Sequence, residues 1–104
     1  MLKPNKLANN NFLSSLDVSS REFLHILELA KNFKNKKLNI ELKSKVLGLI
    51  FDKSSTRTRV SFQVAMSRLG GSTIDLNPST SQIGRGEPIK DTARVLSRYC
   101  DVLA

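Results

Sequence analysis

A dense run of hydroxyl and guanidinium side chains lies in the middle of this 104-residue chain. The run is Ser55-Thr56-Arg57-Thr58-Arg59, and it follows Phe51-Asp52-Lys53, where an apolar stretch gives way to a helical pattern. Hydroxyl groups donate hydrogen bonds to anions, and a guanidinium presents two parallel donors to a phosphate or a carboxylate. The amino terminus of a helix adds unpaired backbone N–H groups and a partial positive charge. The residue types and their spacing therefore predict an anion-binding site.

A plainer interpretation of the same residues stays open. Ser54 or Ser55 would cap the helix through its hydroxyl oxygen, and the two arginines would lie in solvent around the first turn. Arginines are, however, unfavourable at a helix amino terminus, where the helix dipole stabilises acidic side chains. The sequence has no Walker A motif, and Gly84-Arg85-Gly86 is too short for a dinucleotide fingerprint. We therefore expect an anion other than a nucleotide held by a glycine-rich loop.

Alternating helical and apolar patterns predict the elements that position this run. Ser19 and Glu22 form a capping-box pattern at the start of the first helix. The second helix carries Val60 and Val64 on its apolar stripe, with Met66 beside it. The predicted helices cover 20–34, 56–69 and 88–99, and the predicted strands cover 46–51, 72–76 and a segment that begins at 101. This alternation predicts an α/β fold, a parallel sheet with flanking helices, in which the apolar strand 46–51 is buried on both faces.

The charge of the chain allows a second class of function. Seventeen Lys and Arg residues against nine Asp and Glu give a net charge of +8. Residues 1–45 hold nine of the basic and four of the acidic residues, so most of the excess lies outside the central run. A small basic nucleic-acid-binding module, with the lysines of 31–45 and the two arginines of the run along the phosphates, is the alternative. Aromatic residues are only 6% of the chain and offer no stacking platform, so we expect no nucleic-acid partner.

The remaining reactive side chains predict no further site. Cys100 and His25 are the single cysteine and histidine, so no disulfide within the chain and no Cys/His metal cluster is expected. We expect Cys100 to be a small buried apolar group, His25 a surface or partly buried side chain, and Lys90 with Arg94 a solvated helix face. No signal-peptide pattern or membrane-spanning apolar run is present, which predicts a cytoplasmic protein without a membrane partner.

Two separated segments resemble one enzyme family. The run 51–62, with Ser-Thr-Arg-Thr-Arg at its centre, resembles the carbamoyl-phosphate motif of the transcarbamoylases. The segments 81–87 (Ser-Gln-Ile-Gly-Arg-Gly-Glu) and 89–96 resemble the matching region of the ornithine carbamoyltransferases within that family. Lys53 and Gln82 favour the ornithine branch over the aspartate branch. The resemblance implies that residues 1–104 are the N-terminal part of a carbamoyl-phosphate-binding domain, with the ornithine-binding domain outside this chain.

The resemblance also implies an activity and a set of site residues. The carbamoyl group of carbamoyl phosphate would pass to the δ-amine of L-ornithine, giving citrulline and phosphate in arginine biosynthesis. Arg57 and Thr58 would be catalytic, near the carbonyl and bridging oxygens. Gln82 would reach the carbamoyl phosphate of a neighbouring subunit in a homotrimer. The residues implied to bind carbamoyl phosphate are Ser55, Thr56, Arg57, Thr58 and Gln82.

The resemblance leads to further expectations about cofactors, the activity of the isolated chain, the acceptor and Arg59. The resemblance implies no cofactor and no metal, and the isolated 104 residues are expected to be inactive because the ornithine-binding residues lie elsewhere. Two alternative acceptors, aspartate and putrescine, stay open, because the acceptor is bound by that other domain. Arg59 is assigned to structure rather than to ligand contact, in an ion pair with Asp52 or Glu87.

Overall fold

The computed structural model describes residues 6–51, 55–76 and 89–104. Contacts between Cα atoms divide the chain into two compact units, Met1–Ile40 and Glu41–Ala104. A short 3₁₀ helix, Ser15–Asp17, precedes the first α-helix. The main elements are α1 (Ser20–Lys34), β1 (Val46–Ile50), α2 (Thr56–Arg68), β2 (Ser72–Leu76), α3 (Ile89–Tyr99) and β3 (Val102–Leu103). The predicted order of helices and strands is confirmed.

In the first unit, the predicted capping box forms the amino terminus of α1. The Glu22 amide donates to the Ser19 hydroxyl at 3.1 Å, and the Ser19 amide donates to the Glu22 carboxylate at 2.9 Å. The same carboxylate accepts the Ala8 amide at 2.9 Å, which ties the preceding chain to the helix. The pKa of Glu22 is lowered mainly by the Ser19 N–H and then by the Ala8 N–H, against a smaller opposing effect of desolvation.

In the second unit, β1 is the central strand of a three-stranded parallel sheet with the order β2-β1-β3. Val46 is in register with Ser72 of β2, and Leu47 is in register with Val102 of β3. The strand is one residue shorter than predicted, because Phe51 has already left the sheet. Because both edges of β1 are paired, its carboxyl end lies between those of two neighbouring strands.

The core of the second unit forms around β1. Leu47 and Leu49 are buried, Leu49 completely with 0% of its surface exposed, and Met66 of α2 packs with them. Burial on both faces of β1 is as predicted. Met66 is the buried residue of α2, whereas Val60 and Val64 on the predicted stripe are exposed. The helix therefore turns a different edge of its apolar surface to the sheet than the spacing indicates.

A glycine in β1 allows the end of α3 to approach the sheet closely. A Cβ atom at Gly48 would lie 2.7 Å from Cδ2 of Leu103 and 3.1 Å from Sγ of Cys100. Cys100 is a free, buried thiol, 9% exposed, which confirms its prediction as a small apolar group. The amide of Ala104 donates to the Gly48 carbonyl at 2.9 Å, so strand pairing and this close packing occur at the same residue.

The chain reverses its direction of winding at β1. Helix α2 connects β1 to β2, which pairs with one edge of β1. Helix α3 then connects β2 to β3, which pairs with the opposite edge of β1. In open α/β sheets, the crevice beyond the carboxyl ends of the strands at such a reversal is where ligands bind. The residues that follow β1 therefore lie at the edge of the sheet where a ligand site is expected.

The substitution Ser19→Ala is expected to loosen the start of α1 by about 1 kcal/mol, because one helix N–H loses its acceptor. Hydrogen exchange of the Glu22 and Phe23 amides measures this loss, and the neighbouring Ser20→Ala is the matched control.

The Glu22 pKa is lowered from 4.5, so its stabilising contribution is complete above that pH and is lost as the pH falls through the lowered pKa. An NMR titration of Glu22 with a midpoint at or above 4.5 would contradict this.

The substitution Gly48→Ala is expected to cost roughly 1–3 kcal/mol, because the added methyl group overpacks against Leu103 of β3 and Cys100 just beyond α3. In Gly48→Ala/Cys100→Ala the sulfur is gone, and the double variant should lose less than the sum of the two single variants. Urea denaturation of the four proteins measures this coupling. Simple additivity would show that the Cys100 sulfur does not limit the space at Gly48.

Candidate functional site

The predicted anion-binding residues begin helix α2 directly beyond the carboxyl end of β1. Ser55 is the residue before the helix, and Thr56, Arg57 and Thr58 form its first turn. The first backbone hydrogen bond of the helix runs from the Arg59 amide to the Ser55 carbonyl at 2.8 Å. The amides of the three residues between them precede the first bonded turn and have no helical acceptor. Within the described residues these amides donate to no acceptor, so they can donate to a ligand.

The hydroxyl of Ser55 does not cap the helix. Ser55 has φ −118° and ψ 59°, and its side chain accepts no hydrogen bond from the helix amides. By contrast, Ser14 and Ser19 each accept such a bond at their own helix starts. The plainer interpretation of the run is therefore wrong for Ser55, and its hydroxyl remains available to a ligand. Ser54, the other proposed cap, lies outside the described residues.

The first turn of α2 carries positive charge without an acidic residue to balance it. Thr56, Arg57 and Thr58 are exposed, and none of the ion pairs within the described part of the chain involves Arg57. The helix dipole adds a partial positive charge at the same point. This arrangement favours an anion small enough to lie against one helical turn, with amides, hydroxyls and a guanidinium as donors.

The second arginine of the run has a different environment. Arg59 Nε lies 3.0 Å from Oδ2 of Asp75 in β2, and its guanidinium carbon lies 5.5 Å from the ring centre of Phe51. The side chain of Arg59 is 25% exposed. Its assignment to structure agrees with this geometry. The ion pair with Asp75 was not predicted, and the expected partners Asp52 and Glu87 lie outside the described residues.

The sequence contains a signal for the Arg59–Asp75 pair. Asp75 is an acidic residue inside a short strand, and its register partner Leu49 is near the end of β1. An acidic residue there lies close to the first turn of the helix that follows β1. The pair also disfavours the nucleic-acid alternative, because one of its two motif arginines is neutralised within the protein.

The other candidate residues do not meet at this site within the described structure. Lys90 and Arg94 are exposed on α3, which confirms a solvated face. His25 is partly buried on α1 in the first unit, beside a shallow pocket that Arg21 and Glu28 also line. Gln82 and Lys53 lie outside the described residues, so their predicted roles stay predictions.

Residues 6–51, 55–76 and 89–104 contain no candidate metal site and no membrane-spanning helix. These segments hold no group of three or more His, Cys, Asp or Glu side chains that would bind a metal ion. None of their helices combines the length and hydropathy needed to cross a membrane. An apolar groove of about 550 Å³, lined by Leu47, Phe62 and Met66, opens beside the starts of β1 and β3. It lies at the amino edge of the sheet, away from the first turn of α2.

Comparisons with known proteins identify the family of this chain. Residues 10–104 match the family model described as "Aspartate/ornithine carbamoyltransferase, carbamoyl-P binding domain". The ornithine carbamoyltransferase of Prochlorococcus marinus (strain MIT 9312) is 83% identical over 104 residues, which is all of this chain and 34% of that protein. The chain thus spans about a third of the length of the curated relatives it matches.

Solved structures show the same fold. The ornithine carbamoyltransferase from Pyrococcus furiosus is 52% identical with a TM-score of 0.74, over 84% of this chain and 29% of that one. The catalytic subunit of the M. jannaschii aspartate transcarbamoylase is 39% identical with a TM-score of 0.72, over 86% of this chain and 31% of that one. The motif, the parallel sheet and the match over 10–104 lead to one conclusion: the chain belongs to the aspartate/ornithine carbamoyltransferase family, in its carbamoyl-P binding domain.

Proposed function

We propose that the protein containing this chain transfers the carbamoyl group of carbamoyl phosphate to the δ-amine of L-ornithine, forming citrulline and phosphate. The observation that carries the proposal is the first turn of α2. Its amides have no acceptor within the helix, the Ser55 hydroxyl does not cap it, and it contains no acidic residue. This turn follows the central strand at the carboxyl edge of the sheet. The relatives named ornithine carbamoyltransferase, up to 83% identical, support ornithine as the acceptor.

In this proposal, Ser55, Thr56, Arg57 and Thr58 bind the phosphate group of carbamoyl phosphate. Arg57 and Thr58 also face the carbonyl and bridging oxygens. The neutral δ-amine attacks the carbamoyl carbon, a C–N bond forms, and the carbonyl oxygen becomes negative. The bond from carbon to the bridging oxygen then breaks, phosphate leaves, and the nitrogen loses its extra proton. Donors already aimed at the carbonyl and phosphate oxygens lower this barrier, since they stabilise the charge as it develops.

Further parts of the proposal concern the rest of the protein. Residues 1–104 are proposed as the N-terminal part of the carbamoyl-phosphate domain, with ornithine bound by a second domain outside them. Gln82 is proposed to complete the site of a neighbouring subunit in a homotrimer, and arginine biosynthesis in the cytoplasm is the proposed role. The lone cysteine supports a reducing compartment.

The full-length protein is expected to form citrulline from carbamoyl phosphate and ornithine. Colorimetric or mass-spectrometric detection of citrulline measures the activity, with aspartate and putrescine as competing acceptors in parallel reactions. Ornithine should give the largest kcat/KM, because the sequence departs from the aspartate branch at Lys53 and Gln82. A larger kcat/KM with either competitor would replace ornithine as the acceptor. Absence of carbamoyl transfer to all three would contradict the proposed reaction.

The substitution Arg57→Ala in the full-length enzyme is expected to lower kcat/KM for carbamoyl phosphate by about 10²–10³-fold, as removal of one preorganised donor does elsewhere. Arg94→Ala is the matched control, since Arg94 is an exposed arginine on α3 and its loss changes the net charge equally. The control should stay within about threefold of the unsubstituted enzyme. Equal effects of the two substitutions would remove Arg57 from the site.

A further inference from the structure

Arg59 joins three elements at the carboxyl edge of the sheet. Its backbone belongs to the first turns of α2, and its amide donates to the Ser55 carbonyl. Its guanidinium lies over the ring of Phe51, the residue that follows β1, and beside the carboxylate of Asp75 in β2. The backbone bond holds Arg59 within α2, and both other contacts are made by the guanidinium at the far end of its side chain. The side chain therefore restrains the first turn of α2 against both neighbouring strands.

The contact with Asp75 depends on charge. The distance of 3.0 Å joins Nε to Oδ2, yet Nε has no aligned hydrogen bond within the described residues. Both side chains are partly exposed, 25% for Arg59 and 35% for Asp75. Ion pairs at such exposure contribute little to the free energy of unfolding. Loss of the pair is thus expected to change the direction of the helix start more than it changes whether the domain folds.

The register of the sheet places the Arg59–Asp75 contact close to the start of α2. Asp75 is in register with Leu49, and the next residue of β1, Ile50, is the last in the strand. Only five residues, 51–55, separate the end of β1 from the start of α2. A rotation of α2 about its start would move the unpaired amides and the Arg57 side chain together. Displacement of catalytic or binding groups by about 1 Å can cost as much as 10²-fold in rate.

We propose that Arg59 is a positioning residue, and that its ion pair with Asp75 and its contact with Phe51 aim the first turn of α2 at the phosphate group of the substrate. The inference rests on the proposed function for the identity of that substrate. Arg59 itself is not a ligand here, because its charge is already balanced by Asp75. Asp75, an acidic residue close to an anion site, strengthens anion binding through Arg59 although its own charge repels the anion.

The two effects of Asp75, repulsion of the anion and positioning of Arg59, predict opposite results for one substitution in the full-length protein. Asp75→Asn removes a negative charge near the site, so electrostatics alone would tighten phosphate binding. A positioning role instead raises the dissociation constant of inorganic phosphate, measured by calorimetry, by about fivefold or more. The KM for carbamoyl phosphate should rise by a similar factor, while the KM for ornithine stays within about twofold. The conservative Asp75→Glu should recover most of the lost affinity.

The control is Asp101→Asn, which breaks an ion pair with Lys45 at the amino edge of the sheet, where the carboxyl is 43% exposed. The asparagine oxygen can still accept the Val46 amide, and phosphate affinity should change by less than about twofold. If Asp75→Asn does not fold, Arg59→Lys provides the test, since it keeps the charge and loses the planar group over Phe51. It should weaken phosphate binding by a similar factor.

The outcomes separate this inference from the proposed function. If the unsubstituted protein binds phosphate but forms no citrulline, the proposed reaction fails and the phosphate measurements still decide the role of Arg59. Unchanged or tighter phosphate binding in Asp75→Asn overturns the positioning role, as does an equal loss in Asp101→Asn. Absence of phosphate binding by the unsubstituted protein also overturns it, because no anion site would then exist to position.

Discussion

Strand β1 is paired on both edges and buried on both faces, and the rest of the second unit depends on this constraint. Leu49 is fully buried, and Leu47 packs with it and with Met66 of α2. The Val46 carbonyl accepts the Asp101 amide at 2.9 Å and the Ile50 amide donates to the Ala104 carbonyl at 2.8 Å, which fixes β3 against β1. A strand held in this way has little freedom to shift, so the turn that follows it begins from a fixed point.

The two arginines of the run, Arg57 and Arg59, have the same guanidinium group but different surroundings. Arg57 keeps its charge open to solvent at a helix start that has no acidic residue. Arg59, half a turn further along the helix, has its charge balanced by Asp75 and its planar group against Phe51. One guanidinium is therefore available for a ligand, whereas the other stabilises the frame around it. Two arginines of one motif need not have equivalent roles.

The sequence predicted the local structure well and the tertiary contacts less well. The capping box at Ser19 and the apolar run of β1 act through near neighbours, so their patterns are visible in one dimension. The buried face of α2 was misjudged, because Met66 reaches the core from beside the stripe of Val60 and Val64. The partner of Arg59 was also missed. Both errors concern contacts set by how the sheet and helix pack together, which spacing within one element does not encode.

The prediction of an anion site rests on local signals: a strand end, a helix start, and hydroxyl and guanidinium donors in the first turn of the helix. That the Ser55 hydroxyl does not cap α2 could be predicted only in part. Ser19 has Glu22 three residues later and forms a capping box, whereas Ser55 has Thr58 at that position. The backbone conformation of Ser55 itself is defined only in the folded chain. Gln82 was singled out through the family resemblance of segment 81–87, since no pattern within one chain indicates that a residue acts in a neighbouring subunit.

The strand order has a consequence for the sequence of folding events. The bond from the Val46 amide to the Asp101 carboxylate spans 55 residues, whereas β1 and β2 are separated only by α2 and its loops. Closing a loop costs roughly 0.6 kcal/mol more for each doubling of its length. We expect the β1–α2–β2 unit, which includes both Arg59 and Asp75, to form first as the chain leaves the ribosome. The first turn of α2 would then be oriented before β3 joins the sheet.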